Sequence, residues 1–229
     1  MLKRTLGTSA LILILTSPVF ASNYLTGNLQ FHDDGRIHGS KVTSTIETGY
    51  TKNNGFGNLT LYAEFAGIQL GDIVSDDGGV GQQSAFVTVG GEHSINITNN
   101  LWVAAGYQHF FSAGETLQYR PLVKVGYNFD NGFSLSNRSR AHIGSGDRRT
   151  DYRLDNRIAY EFNDIDLRLS YNNVYMIEAE SMDHEFRAAW TRGGVQPYIE
   201  FRTQAHGLEN SVGDSLVNNA LLLGAFYRF

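Results

Sequence analysis

The chain has 229 residues, no cysteine, and a formal net charge of −5 from 18 basic and 23 acidic side chains. Disulfides therefore hold nothing, and the acidic balance excludes a basic nucleic-acid binder. Glycine and aromatics are abundant (25 Gly, 12 Tyr, 14 Phe) while proline is scarce, with 3 residues, a composition that suits strands whose outside meets lipid.

The first element in chain order is an export signal. Lys3 and Arg4 make a charged start, Leu6 to Leu15 an apolar run, and Val19-Phe20-Ala21 a cleavage site before Ser22. The apolar part is too short to span a bilayer as a helix. Residues 1–21 are thus expected to be removed, leaving 22–229 as one domain, and losing Lys3 and Arg4 makes that domain more acidic still. No later segment approaches the ~18 consecutive apolar residues of a membrane helix.

Alternating segments then recur at 24–32, 40–50, 58–70, 83–95, 101–111, 117–129, 133–143, 151–162, 166–176, 183–192, 197–206 and 216–229. A period of two means strands. Their connections fall into two kinds. One set is tight: KNNGFG (52–57), NITNN (96–100), DNG (130–132), Asn163-Asp164 and RGGVQ (192–196). The other is often longer and more polar, as in GDIVSDDGGVGQ (71–82) and HGLENSVGDS (206–215). Short turns on one rim and longer loops on the other are the signature of an outer-membrane barrel with its turns in the periplasm. The predicted fold is all-β: a transmembrane antiparallel up-and-down barrel of twelve strands.

Within it, residues 119–142 read YRPLVKVGYNFDNGFSLSNRSRAH. Tyr119, Val123, Val125, Tyr127, Phe133 and Leu135 take one face; Arg120, Lys124, Arg138 and Arg140 take the other. Asp130-Asn131-Gly132 between the runs is a strong hairpin signal. It sets Lys124 opposite Arg138, although like charges placed cross-strand destabilise a sheet. The inward reading resolves this, because cations can then wet a lumen. Counting through the later turns pairs Arg138 with Arg157 and Arg140 with Asp155. It also sets Arg168 diagonal to Arg157 and Glu161, and Arg187 opposite Arg202. The expected result is a strip of cations crossing several strands. Twelve strands at ~4.8 Å spacing and ~40° tilt give a backbone radius of roughly 12 Å and a bore of about 10 Å.

The final segment, SLVNNALLLGAFYRF, puts Leu221, Leu223, Tyr227 and Phe229 on one face. A last strand ending in Phe, with an aromatic two before it, resembles the assembly signal of outer-membrane barrels and implies the barrel-assembly machinery as a partner through Phe229. Phe129, Phe133, Tyr160, Phe162 and Trp190 lie beside tight turns, where a periplasmic aromatic girdle belongs; Tyr107, Tyr119, Tyr152 and Tyr175 sit toward the other rim.

The stretch 119–140 resembles the oligogalacturonate-specific porin family, the KdgM and NanC group, in an R-P-x-V-K, F-D-N-G-F and R-x-R core. DHEFRAAWTRGGVQPYIEF (183–201), with its Q-P-Y-x-E, is similar too. The resemblance covers roughly residues 95–205 and the C-terminal strand. It implies a monomeric channel of the bacterial outer membrane through which acidic mono- or oligosaccharides diffuse along facing tracks of basic side chains. Arg120, Lys124, Arg138 and Arg140 match the motif, while Arg157, Arg168, Arg187 and Arg202 join the expected solute path by alternation alone. One departure stands beside it: Glu47, Glu64 and Glu92 fall on the inner face of the first half with few cations, so the expected lumen is bipolar.

No enzyme, cofactor or metal is expected. The histidines are scattered, and Ser139 and His142 have opposite parity, so they cannot pair as nucleophile and base. Asp72, Asp76 and Asp77 lack the spacing of a calcium loop. A competing reading keeps the barrel and closes its lumen with internal arginine–carboxylate pairs, for a structural or adhesive role.

Overall fold

The computed structural model describes residues 21–75, 79–210 and 213–229. The expected export signal lies outside them, save for Ala21, which opens the first strand. The strands are β1 (Ala21–His32), β2 (Ser40–Asn53), β3 (Asn58–Ile73), β4 (Phe86–Asn96), β5 (Leu101–Ser112), β6 (Glu115–Asn128), β7 (Phe133–Gly144), β8 (Asp151–Phe162), β9 (Leu167–Met176), β10 (Ser181–Trp190), β11 (Gln196–His206) and β12 (Asn218–Arg228). Each pairs antiparallel with its neighbours in sequence, and β1 closes on β12 with Leu29 opposite Leu223. The architecture is the expected closed all-β barrel of twelve strands. Closure removes the open sheet edges across the membrane, so the strand ladders there bond within the wall, as hydrocarbon demands.

No helix among the described residues is long and apolar enough to cross a membrane; here the strands cross. Leu25, Leu61, Val123, Ile158, Phe186 and Leu223 all point outward and are exposed. In water such a continuous apolar girth would be a liability, whereas in lipid it is the favourable surface. Rings border it near the tight turns. Tyr160 lies between Phe133 and Phe162 at centroid distances of 4.5 and 4.6 Å, and Tyr227 stacks on Phe229 at 5.7 Å.

The glycine and aromatic content has a further use inside. Tyr24, Tyr62, Trp102 and Tyr198 face the lumen, and the direct cross-strand partner of each is a glycine: Gly49, Gly90, Gly126 and Gly224. The ring lies over that glycine where any Cβ would collide with it. The aromatics therefore lie against the wall and leave the bore open. At Gly67, with φ +65°, β3 bulges beside the register shift between Ser44 and Ile46 of β2, a conformation glycine takes without strain.

Gly224→Val is expected to push Tyr198 off the wall and overpack the β11–β12 pair, costing about 1–3 kcal/mol. The temperature at which the folded, gel-shifted form is lost should fall by several degrees, roughly as that cost implies; an unchanged transition would contradict the packing described.

Candidate functional site

Residues of eleven of the twelve strands, β1 to β11, enclose a polar cavity of about 580 Å³. Seven of the eight expected lumen cations line it: Arg120, Lys124, Arg138, Arg140, Arg157, Arg187 and Arg202. Arg168 lies lower, around a second cavity toward the tight-turn rim that also reaches Arg157 and Arg187. Arg153 lines the main cavity as well and was not anticipated, although its parity matches Arg157 on the same strand. Glu47, Glu64 and Glu92 face them from β2, β3 and β4, and the β1–β4 part of the lining carries no cation. The lumen is bipolar across its width.

The expected registers fail at three joints. Lys124 does stand opposite Arg138. Arg138, however, meets Asp155 rather than Arg157, and Arg140 meets Arg153 rather than Asp155. Arg168 sits directly opposite Glu161, and Arg157 opposite Asn172. Arg187 meets Glu200, while Arg202 meets Glu185. Each error is a slip of two residues, which keeps the face and exchanges the partner. At the β8–β9 joint the cause is visible: Asn163–Ile165 form a 3₁₀ turn and Asp166 takes a left-handed φ of 51°, lengthening the connection. At Arg138 and Arg187 the correction replaces an expected cation–cation contact with an ion pair, the cheaper arrangement, whereas Arg140 now faces Arg153. A continuous cationic strip is absent.

Two carboxylates each hold two guanidiniums. Asp155 is 6% exposed; its Oδ2 accepts from Arg138 Nε at 2.9 Å and its Oδ1 from Arg153 Nη2 at 2.6 Å. Glu200 is 2% exposed; its Oε2 accepts from Arg187 Nε at 2.5 Å, and its Oε1 pairs with Arg202, which also reaches Glu185 at 3.6 Å. Lys124 pairs with Glu92 across two strands, and Arg168 lies 3.8 Å from Glu161. Many cations thus knit the wall.

Three do not. Among the described residues Arg120, Arg140 and Arg157 form no ion pair. Arg120 donates to Gln118 Oε1 at 2.7 Å and lies 3.6 Å over the Phe110 ring. Arg140 donates to Gln108 Oε1 at 2.5 Å, and its Nε has no partner. Arg157 donates to Ser170 Oγ at 3.0 Å. Their side-chain hydrogen bonds go only to neutral groups.

At the mouth, Gln69 joins two loops, 33–39 and 74–85: its Nε2 donates to His38 O at 2.9 Å and Gly81 O at 2.8 Å, and its Oε1 accepts from Gln83 N at 2.9 Å. His38 stacks on His32 at 4.0 Å and contacts Gln204 at 3.3 Å. The first loop is thereby fixed at the rim. His142 is buried facing inward while Ser139 bonds Asn137 on the outer face. Asp76 and Asp77 lie outside the described residues. Among the described residues no group of histidine, aspartate and glutamate is placed to hold a metal.

These features define an outer-membrane β-barrel with a polar, charged lumen. No family model and no curated protein matches the chain in sequence. Solved structures do match in shape. A KdgM porin superposes with TM-score 0.63 at 14% identity, over 90% of this chain and 99% of the other. A NanC porin gives 0.64 at 14%, over 89% and 98%. Outer membrane phospholipase A from Escherichia coli gives 0.55 at 12%, over 90% and 92%. At such identities the likeness is one of fold, and it agrees with the porin resemblance of residues 119–140. The chain is a barrel of the bacterial outer membrane.

Two outcomes are expected. Glu200→Gln leaves Arg187 and Arg202 without their shared charge and should cost about 3 kcal/mol, read as an earlier urea midpoint; an unmoved midpoint would contradict the pairing. Burial holds the His38 imidazole below its ordinary value, so the docked loop prefers it neutral. Docking should be complete above about pH 6.5 and weaken as the pH falls below it, seen as faster amide exchange over 33–39, with His38→Gln insensitive to pH.

Proposed function

We propose that the chain is a porin through which acidic saccharides, uronate oligomers in particular, diffuse across the outer membrane. The observation that carries this reading is the set of three arginines of the main cavity, Arg120, Arg140 and Arg157, that no carboxylate pairs directly among the described residues. The fold shared with the KdgM and NanC porins supports it.

The mechanism follows from charge placement. Carboxylates of a passing oligomer are drawn to the β6–β8 wall and repelled by Glu47 and Glu64 opposite, so the solute travels along one side of the bore. A guanidinium binds a carboxylate through two parallel hydrogen bonds. Several such sites, each partly satisfied by the wall already, let an anion step onward without being held. No covalent chemistry is required. Neutralised arginines such as Arg138, Arg153, Arg187 and Arg202 brace the wall and keep the three free cations apart. Export through the segment 1–21 and assembly through Phe229 belong to the same reading, as does the absence of any cofactor.

In planar bilayers the protein should show steady conductance with anion preference in a salt gradient. The triple variant R120Q/R140Q/R157Q should lose that preference and bind galacturonate oligomers about tenfold more weakly, or worse, as judged by current block. Loss of preference without loss of conductance supports the path. A silent wild-type barrel would favour the closed, structural alternative, and unchanged selectivity in the triple variant would remove these arginines from the route.

A further inference from the structure

The cavity toward the tight-turn rim, of about 480 Å³, holds groups that the cation path leaves unused. Its volume falls within the ~300–1,000 Å³ of small-molecule sites. Two inward rings line it, Tyr24 on β1 and Phe226 on β12, stacked at a centroid distance of 5.6 Å. Tyr24 lies over Gly49, where any Cβ would meet it, so that ring is set against the wall. Both rings are only partly buried. Leu222, two inward positions earlier on β12, is by contrast sealed at 0% exposure. Phe226 thus keeps apolar surface toward a polar bore, a cost that an apolar partner would remove.

Other groups of the same cavity are underused too. Arg157 on β8 donates to Ser170 Oγ at 3.0 Å, and Arg168 on β9 reaches Glu161 only at 3.8 Å. Arg228, beyond Phe226 on β12, lies 5.6 Å over that ring and forms no ion pair among the described residues. On β2, Glu47 Oε1 accepts from the Tyr24 hydroxyl at 2.7 Å, while its Oε2 has no partner among the described residues. Going round the wall, the cavity therefore presents guanidiniums, then aromatic faces, then a carboxylate oxygen. A guanidinium fits a carboxylate, a ring fits an apolar face, and a carboxylate accepts from a hydroxyl. An inorganic anion would answer only the first.

We infer that this cavity is a subsite for one pyranose ring of a uronate, stacked on Phe226 and Tyr24. The carboxylate of that sugar meets Arg157 and Arg168, and one of its hydroxyls donates to Glu47 Oε2. One face of a pyranose bears mainly C–H bonds, whose positive hydrogens suit the negative face of an aromatic ring. The Tyr24 ring is already placed by Gly49, so binding there orders little. The inference rests on the acidic-saccharide reading and sharpens it: the lumen arginines attract any anion, whereas this shelf asks for a sugar.

Current block in planar bilayers, with the full folded barrel, separates the two kinds of recognition. The probes are trigalacturonate and tricarballylate, which carry three carboxylates each, and only the first has pyranose faces. F226L, checked for its heat-modifiable folded band, should shorten the trigalacturonate residence about tenfold. It should leave the tricarballylate residence and the anion preference unchanged. F226Y, which keeps a ring, should retain the wild-type residence. An unchanged trigalacturonate residence in F226L, equal losses for both probes, or F226Y behaving as F226L would overturn the inference and leave the porin reading standing. A wild-type conductance that neither probe interrupts would remove both.

Discussion

Hydrocarbon on the outside of a two-residue repeat is the constraint on which the molecule depends. A strand turns successive side chains to opposite faces, and a closed sheet has only an outside and an inside. Once Leu25, Val123 and Leu223 meet lipid, every ionisable group at the alternate positions is delivered to the lumen. There the charges must pair, be hydrogen-bonded, or meet water. The bipolar interior, acidic on β2–β4 and basic from β6 to β11, is a consequence of how that delivery falls along the chain.

Pairing then decides which cations are structural. Asp155 and Glu200 are the two most consequential carboxylates, since each is buried in the wall between two arginines. A buried acid so bracketed costs little to keep charged, and the arginines it satisfies have less attraction left for a solute. Arg120, Arg140 and Arg157 are held instead by amide and hydroxyl oxygens and by the Phe110 ring. The contrast between the two sets links the packing of the wall to the transport reading.

The faces of the strands were legible in the sequence because a period of two is set by backbone geometry alone, and the eight expected cations all point inward for that reason. Registers were not, because they depend on turn conformation: the 3₁₀ turn at Asn163–Ile165 moved Arg168 onto Glu161. Preferring a carboxylate opposite Arg138 and Arg187 would have recovered Asp155 and Glu200 as partners, although Lys124 opposite Arg138 and Arg140 opposite Arg153 show that like charges do face each other in this wall; the parity count reaches Arg153. The unpaired state of Arg120 and Arg140 was beyond the sequence, since it rests on Gln118 and Gln108 being too short of charge to neutralise them. The outer-face row of Asn137, Asn156, Asn173, His184 and Thr203 was equally hidden, for it emerges only when four registers align.

Site-by-site thiol labelling along β7 tests the inside-out arrangement most directly. Cysteines placed singly at residues 134–140 of the folded, lipid-embedded barrel should alternate: the even positions, Ser136, Arg138 and Arg140 among them, should react with a small water-soluble reagent. The odd positions, Leu135 and Asn137 among them, should react only with a reagent that partitions into lipid. Uniform reactivity along the strand, or water access at the odd positions, would contradict the account.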